Sequence, residues 1–337
     1  MARIVYVGLD NKGGPAAIGK YLQKLAERDG HEYIFATYFK HHGEREGWAH
    51  TLEQVSRGPE PDIIIFHQWV SSRLMDRWPG VPTYWLPMFE DITARAVAMA
   101  QSHALAVIAP TEAVSEFFTE LGAEVHYTPW SVDKGFRTRG GSRRYWFFPA
   151  RTGGHRGRKN VGLFLRAFRQ ANFKETPRVL ISMMPGAWKK HKLPEGCEFV
   201  WADSQEEYQQ LIRKAGWLVS PSRTSGIELS VLDALHDGIR VLGTDCHPFR
   251  DHIYGEWNGV LAPAEVFDPG PLGIPKFEDG EIKPAYAIPH ETPTLEGLVA
   301  ALERMESEPP PRIDFVGLAA RKEAFEKFWS QLFRRTL

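Results

Sequence analysis

Along the first 130 residues, short apolar runs alternate with stretches in which apolar side chains recur every three or four positions. Arg3 to Gly8 is a run of the first kind and predicts a buried strand. Ile18, Tyr21, Leu22 and Leu25 follow at i, i+3, i+4 and i+7, one face of a helix whose first turn holds Pro15. Ile63–Phe66, Pro82–Leu86 and Ala104–Ile108 read as further buried strands. Thr111 is a plausible N-cap, Val114, Phe117, Phe118 and Leu121 make the stripe, and Gly122 is the stop. Strand–helix alternation of this kind predicts a parallel sheet covered on both faces.

The rhythm restarts at Tyr145. Strands are expected at Tyr145–Ala150, Val179–Ser182, Phe199–Trp201, Trp217–Ser220 and Arg240–Gly243. Ser204 and Glu207 form a capping box for a helix with Tyr208, Leu211, Ile212 and Ala215 inward. The pattern predicts two doubly wound α/β domains, over residues 1–135 and 136–310, joined near Val132–Arg144. A C-terminal helical segment over 311–337 carries Phe325, Phe328, Trp329, Leu332 and Phe333 on one face, a stripe suited to docking. Ala262 to Thr292 is rich in Pro and Gly, has little periodicity, and is expected to be a surface excursion.

Composition adds boundaries. A chain of 337 residues with 43 % hydrophobic and 25 % charged residues suits a soluble globular protein. The net charge of −1 selects no partner, so any nucleic-acid role needs a local basic patch. Cys197 and Cys246 fit no ligand or redox spacing, which predicts reduced thiols. No apolar run approaches the ~20 residues that span a bilayer. The expected location is the cytoplasm.

The residues with chemical potential fall where a parallel sheet places ligands, beyond strand ends and at helix starts. Gly13-Gly14 precedes the first helix and suits close approach of an anion, or a plain tight turn. Pro149 to Asn160 (PARTGGHRGRKN) follows a strand and holds Arg151, Arg156, Arg158 and Lys159 without an acid. Such charge suits a departing diphosphate, or a solvated basic loop. Ser225-Gly226-Ile227-Glu228-Leu229 opens the next helix and offers backbone N–H groups. Asp233, two turns in, suits a ribose diol, or is the one exposed acid of an ordinary helix.

In their order these pieces resemble the GT-B nucleotide-sugar glycosyltransferases, in particular the retaining enzymes of glycosyltransferase family 4. The resemblance covers nearly the whole chain. Gly13-Gly14 looks like the family's N-terminal loop, and Thr128 to Phe136 (TPWSVDKGF) like its domain junction. Arg151 and Lys159 match its diphosphate-binding pair. Ser220 to Gly238 (SPSRTSGIELSVLDALHDG) matches its two-acid motif, and Trp257 to Leu261 (WNGVL) its later "nG.L". The resemblance implies two Rossmann-like domains facing across a cleft, with the donor on the second. It implies transfer of a sugar from a UDP-sugar with retention, no cofactor and no catalytic metal. Arg151, Lys159 and Glu228 would be catalytic. Gly13, Gly14, Trp201, Ser225, Gly226, Ile227, Leu229 and Asp233 would complete the donor site.

Three departures follow. Ser225 stands in place of the first acid. Glu228 stands where a glycine is usual. Pro87 and Met88, followed by Glu90 and Asp91, stand where the family often has a histidine, and His67 is another acceptor-side candidate. From Lys134 to Asn160 there are nine Lys or Arg and no acid. Arg143 and Arg144 are therefore acceptor-side candidates too, for a glycan, a small molecule or DNA. A glycosyltransferase acting on hydroxymethylated bases in DNA and a non-catalytic nucleotide-sugar-binding protein remain as alternatives.

Overall fold

The computed structural model describes residues 1–9, 14–37, 51–56, 58–88, 92, 94–137, 141–151, 158–187, 191–223, 226–267 and 290–334. The chain divides into two compact units. One holds the described residues of 1–133 and 319–334, the other those of 134–267 and 290–318.

The sheet of the first unit has six strands: β1 (Arg3–Gly8), β2 (Glu32–Thr37), β3 (Ile63–His67), β4 (Thr83–Leu86), β5 (Ala106–Ala109) and β6 (Val125–Tyr127). All pairings are parallel, in the order β2-β1-β3-β4-β5-β6. The crossovers carry helices α1 (Gly14–Arg28), α2 (Ser72–Arg77), α3 (Ala94–Ser102) and α4 (Glu112–Glu120). The Thr111 hydroxyl caps α4 by accepting from the Val114 N–H. β2 and β6 are absent from the sequence expectation. β2 is mostly half-exposed and β6 has three residues, so neither shows the apolar run that marks β1 and β3.

The second sheet comprises β7 (Ser142–Arg151), β8 (Arg178–Met183), β9 (Cys197–Val200), β10 (Ala215–Ser220), β11 (Arg240–Thr244) and β12 (Gly259–Ala262). It too is parallel throughout, in the order β12-β11-β10-β7-β8-β9. Numbered within the unit this is 3-2-1-4-5-6, the dinucleotide-binding order. Side chains of β7 alternate between two cores. Trp146, Phe148 and Ala150 pack with α5 (Val161–Gln170), whereas Phe147 packs with α6 (Gln205–Lys214) and α7 (Leu229–His236). α8 (Phe249–His252) and α9 (Leu295–Ser307) complete the cover.

Two expectations are corrected here. β7 begins at Ser142, so Arg143 and Arg144 lie in a strand and not in a linker. The stretch 262–292 is not irregular throughout: β13 (Ala264–Phe267) and β14 (His290–Pro293) pair antiparallel. Residues 268–289 lie outside the described set. Helix α10 (Phe315–Arg334) packs Leu318 into the second unit, while Phe325 and Trp329 meet Trp130 in the first.

Candidate functional site

In a doubly wound sheet the crevice opens where neighbouring crossovers depart in opposite directions. In the second unit that point lies between β7 and β10. The loops leaving their carboxyl ends hold the described residues 158–160, 221–223 and 226–228, and four bonds stitch them together. The Arg223 N–H donates to the Arg158 carbonyl at 2.9 Å. Asn160 Nδ2 donates to the Pro221 carbonyl at 2.8 Å, and Arg223 Nε donates to Asn160 Oδ1 at 3.0 Å. Lys159 Nζ donates to Glu228 Oε1 at 2.6 Å, with the two side chains 10 % and 2 % exposed.

That ion pair is the electrostatic centre of the site. Burying both partners is costly unless geometry and further bonds compensate. Here the Ser230 hydroxyl also donates to Glu228 Oε2 at 3.2 Å. Glu228 has φ +50° and ψ +57°, the left-handed region where a side chain costs about 1–2 kcal/mol. Residues held in such strain cluster at ligand-binding turns. The family resemblance put a glycine at this position, and the backbone keeps the conformation a glycine favours. Asn160, at the start of α5, is also left-handed at φ +53°. β7 has a register shift between Phe148 and Arg151, an irregularity in its pairing with β8 just before its end.

Gly226 and Ile227 are buried, and Leu229 is half-buried at the start of α7. His252 Nε2 donates to the Ile227 carbonyl at 3.1 Å and supports the turn from behind. Asp233 is half-buried farther along α7, where Gln209 Nε2 donates to its Oδ2 at 3.1 Å. Burial pushes the Asp233 carboxyl up, and Lys134 and Gln209 oppose that push. Trp201, half-buried, follows β9, two strands and roughly 10 Å across the sheet from β7.

Several expected residues stand apart. Gly13, Glu90, Asp91 and Ser225 lie outside the described residues. Gly14 opens α1. Arg151 closes β7 at the crevice, but its side chain is outside the described set. Arg143 and Arg144 sit at the other end of β7, about 25 Å away along an extended strand. Arg143 donates to the Glu308 carbonyl and Arg144 pairs with Glu175. Arg137 and Lys134 face Asp237. The basic run thus has acids against four of its cations, counting Lys159, and does not form a bare polyanion groove among the described residues.

The first unit has its own reversal point, between β1 and β3, and its character differs. Tyr6 and His67 meet there, with the Tyr6 oxygen 2.5 Å from His67 Nδ1. Both are buried. A Cβ on Gly8 or on Gly19 would come within 2.8 Å of the Tyr6 ring, so only glycine leaves that ring its place. Burial raises the Tyr6 hydroxyl and lowers His67 to about 3, leaving both neutral. His67 Nε2 has no hydrogen-bond partner among the described residues.

Asn160, Arg223 and His252 were not singled out from the sequence. Asn160 carried one signal, a polar residue between Lys159 and an apolar helix stripe. His252 carried none, because its partner is a backbone carbonyl 25 positions away. Among the described residues no group of three His, Cys, Asp or Glu is placed to hold a metal ion, and no helix is long and apolar enough to cross a membrane.

Two parallel sheets, each with a reversal point, define an α/β protein of the GT-B fold class. No protein-family model matches the chain, and no curated protein matches it. Solved glycosyltransferases share its fold. Sucrose-phosphate synthase from Thermosynechococcus elongatus matches with a TM-score of 0.71 at 13 % identity, covering 99 % of each chain. HepE from Anabaena, solved with UDP and glucose, matches at 0.63 and 12 %, covering 100 % of this chain and 99 % of its own. The lipopolysaccharide outer core galactosyltransferase WaaB, in its apo form, matches at 0.62 and 15 %, covering 99 % and 98 %. At such identities the likeness is one of fold.

Proposed function

We propose that this protein is a glycosyltransferase that moves a sugar from a nucleotide donor, a UDP-sugar, to an acceptor hydroxyl with retention and without a metal. The buried Lys159–Glu228 pair at the β7/β10 reversal carries this reading. It fixes an ammonium at the start of α7, on the loop that follows β7 and its last residue Arg151, where a diphosphate would find positive charge and backbone N–H groups together. HepE, which shares the fold, has been solved with UDP-glucose as well as with UDP.

In this reading Gly226, Ile227 and Leu229 offer backbone donors to the phosphates, and Asp233 accepts from the ribose diol. Trp201 flanks the base. Ser225 and Glu228 lie by the donor sugar. The acceptor oxygen attacks the anomeric carbon on the face from which the diphosphate departs. The carbon–oxygen bond to the diphosphate breaks, and a diphosphate oxygen takes the acceptor's proton. No protein nucleophile is needed, so the absence of an acid at Ser225 does not by itself remove activity. Arg151 and Lys159 stabilise the charge that develops on the leaving group. His67 stands on the acceptor side.

Turnover is measured with UDP-sugars, with and without a chelator, and the product's anomeric configuration is read by NMR. The expected product keeps the donor's configuration at an unchanged rate with chelator. The Arg151→Ala, Lys159→Ala double variant is expected to lose turnover. Full turnover in that variant would remove the site assignment.

A further inference from the structure

Asp233 does not stand alone on α7. The Lys134 ammonium reaches the Gln209 Oε1 at 3.3 Å, the Asp233 backbone carbonyl at 3.2 Å and the Asp237 carboxylate. An ammonium only donates, so the Gln209 side-chain oxygen must face it. The amide nitrogen then faces Asp233 and donates to Oδ2 at 3.1 Å. The direction of this chain, from Lys134 through Gln209 to Asp233, is fixed by the ammonium, which can only donate.

Asp237, 2 % exposed, anchors the arrangement. Arg137 Nε lies 3.8 Å from it and Arg213 Nε, on α6 with Gln209, lies 4.0 Å from it. Two other cations therefore already serve Asp237. What Lys134 adds is its pair of contacts to Gln209 and Asp233. The segment that carries it is held against α7 by backbone and ring contacts as well. The Arg137 N–H donates to the His236 carbonyl at 2.8 Å, and Phe136 stacks on His236 at 4.4 Å.

We propose that Lys134 and Gln209 are positioning residues that orient the Asp233 carboxylate toward the ribose diol of the donor. This rests on Asp233 being the ribose acid. A carboxylate has about four acceptor positions. Gln209 takes one and fixes the rotation of the group, and the others serve the diol. Asp233 lies four residues after Leu229, about 6 Å along the helix axis, so one helix spaces the ribose contact from the phosphate contact.

The groups facing Asp233 set the sign of a pH effect. Burial and Asp237 raise its carboxyl, and Lys134, Gln209 and Arg213 lower it. Removing the Gln209 N–H raises it further, so on acidification binding that needs the carboxylate is lost already at a less acidic pH.

The test is calorimetric binding of UDP, ADP and GDP, and of their 2′,3′-dideoxy counterparts, between pH 5 and 8. The wild type is expected to prefer one ribonucleotide over its dideoxy form by about tenfold or more. Gln209→Leu is expected to shrink that preference below about threefold. Its dideoxy affinity stays unchanged and the acid limb of ribonucleotide binding moves to higher pH. Lys134→Met shifts both readouts in the same direction. Melting curves establish that the variants fold. Gln209→Glu, which keeps the size of the side chain, is measured alongside. An intact diol preference and an unmoved acid limb in the folded variants would overturn the relay while leaving Asp233 as the ribose acid. No diol preference in the wild type, or no binding of any of the three diphosphates, would remove the Asp233 reading and the relay with it.

Discussion

The two reversal points occupy equivalent places in two parallel sheets, yet their chemistry is opposite. Between β7 and β10 a lysine and a glutamate are buried as ions, 2.6 Å apart. Between β1 and β3 a tyrosine and a histidine are buried as neutral groups, sharing one hydrogen bond. A fixed ion pair can exchange its partner for a charged ligand. A neutral pair cannot neutralise a diphosphate. One topology thus carries a buried ion pair at one reversal point and a buried neutral pair at the other.

The sharpest way to break that contrast is to remove the charges while keeping the shape. Lys159→Met with Glu228→Gln leaves no buried ion uncompensated, so folding is expected to survive. The proposed transfer is expected to fall by about 10²–10³, the scale of losing a stabilising donor. The single Lys159→Ala change, by contrast, strands the Glu228 carboxylate and is expected to cost about 3–5 kcal/mol in urea unfolding. Equal stabilities for the two variants would mean that the pair is not held as ions.

A smaller effect is expected at the other reversal point. Tyr6→Phe leaves His67 Nδ1 without its partner, at a cost of about 1–3 kcal/mol. The same denaturation assay measures it.

The finest test is pH. His67 is lowered by burial from 6.5 to about 3, so the unfolded chain takes up its proton first. The stability this neutral imidazole contributes is complete above pH 6.5. It is lost progressively as pH falls from there toward 3. His67→Gln is expected to flatten that part of the melting-temperature profile. An unchanged profile would mean that His67 is not buried neutral.

Much of this was legible in the sequence, for physical reasons that differ by element. β1 and β10 are buried along their whole length, so six consecutive positions had to suit a sheet interior. β2 and β6 lie at a sheet edge and need not be apolar. The start of β7 reads as linker because Ser142, Arg143 and Arg144 are polar. They are strand because β10 lies alongside, so close that a Cβ on Gly216 would come within 2.6 Å of the Ser142 carbonyl. At the site, Lys159 stood out by its basic neighbours and Glu228 by its place before a helix. Their pairing was not legible, since 69 positions separate them. Nor was the Lys134–Gln209–Asp233 chain, which joins three elements and no recurring spacing.

Helix α10 has a consequence for how the protein is made. Phe325 stacks on Tyr21, and Trp329 packs against Trp130. The aromatic face of the first unit is therefore closed by a segment translated long after it. About 200 residues separate Asp133 from the end of α10, roughly 10–40 s of synthesis at ordinary rates. During that interval Tyr21 and Trp130 wait uncovered on the nascent chain, a target for chaperones until the helix arrives.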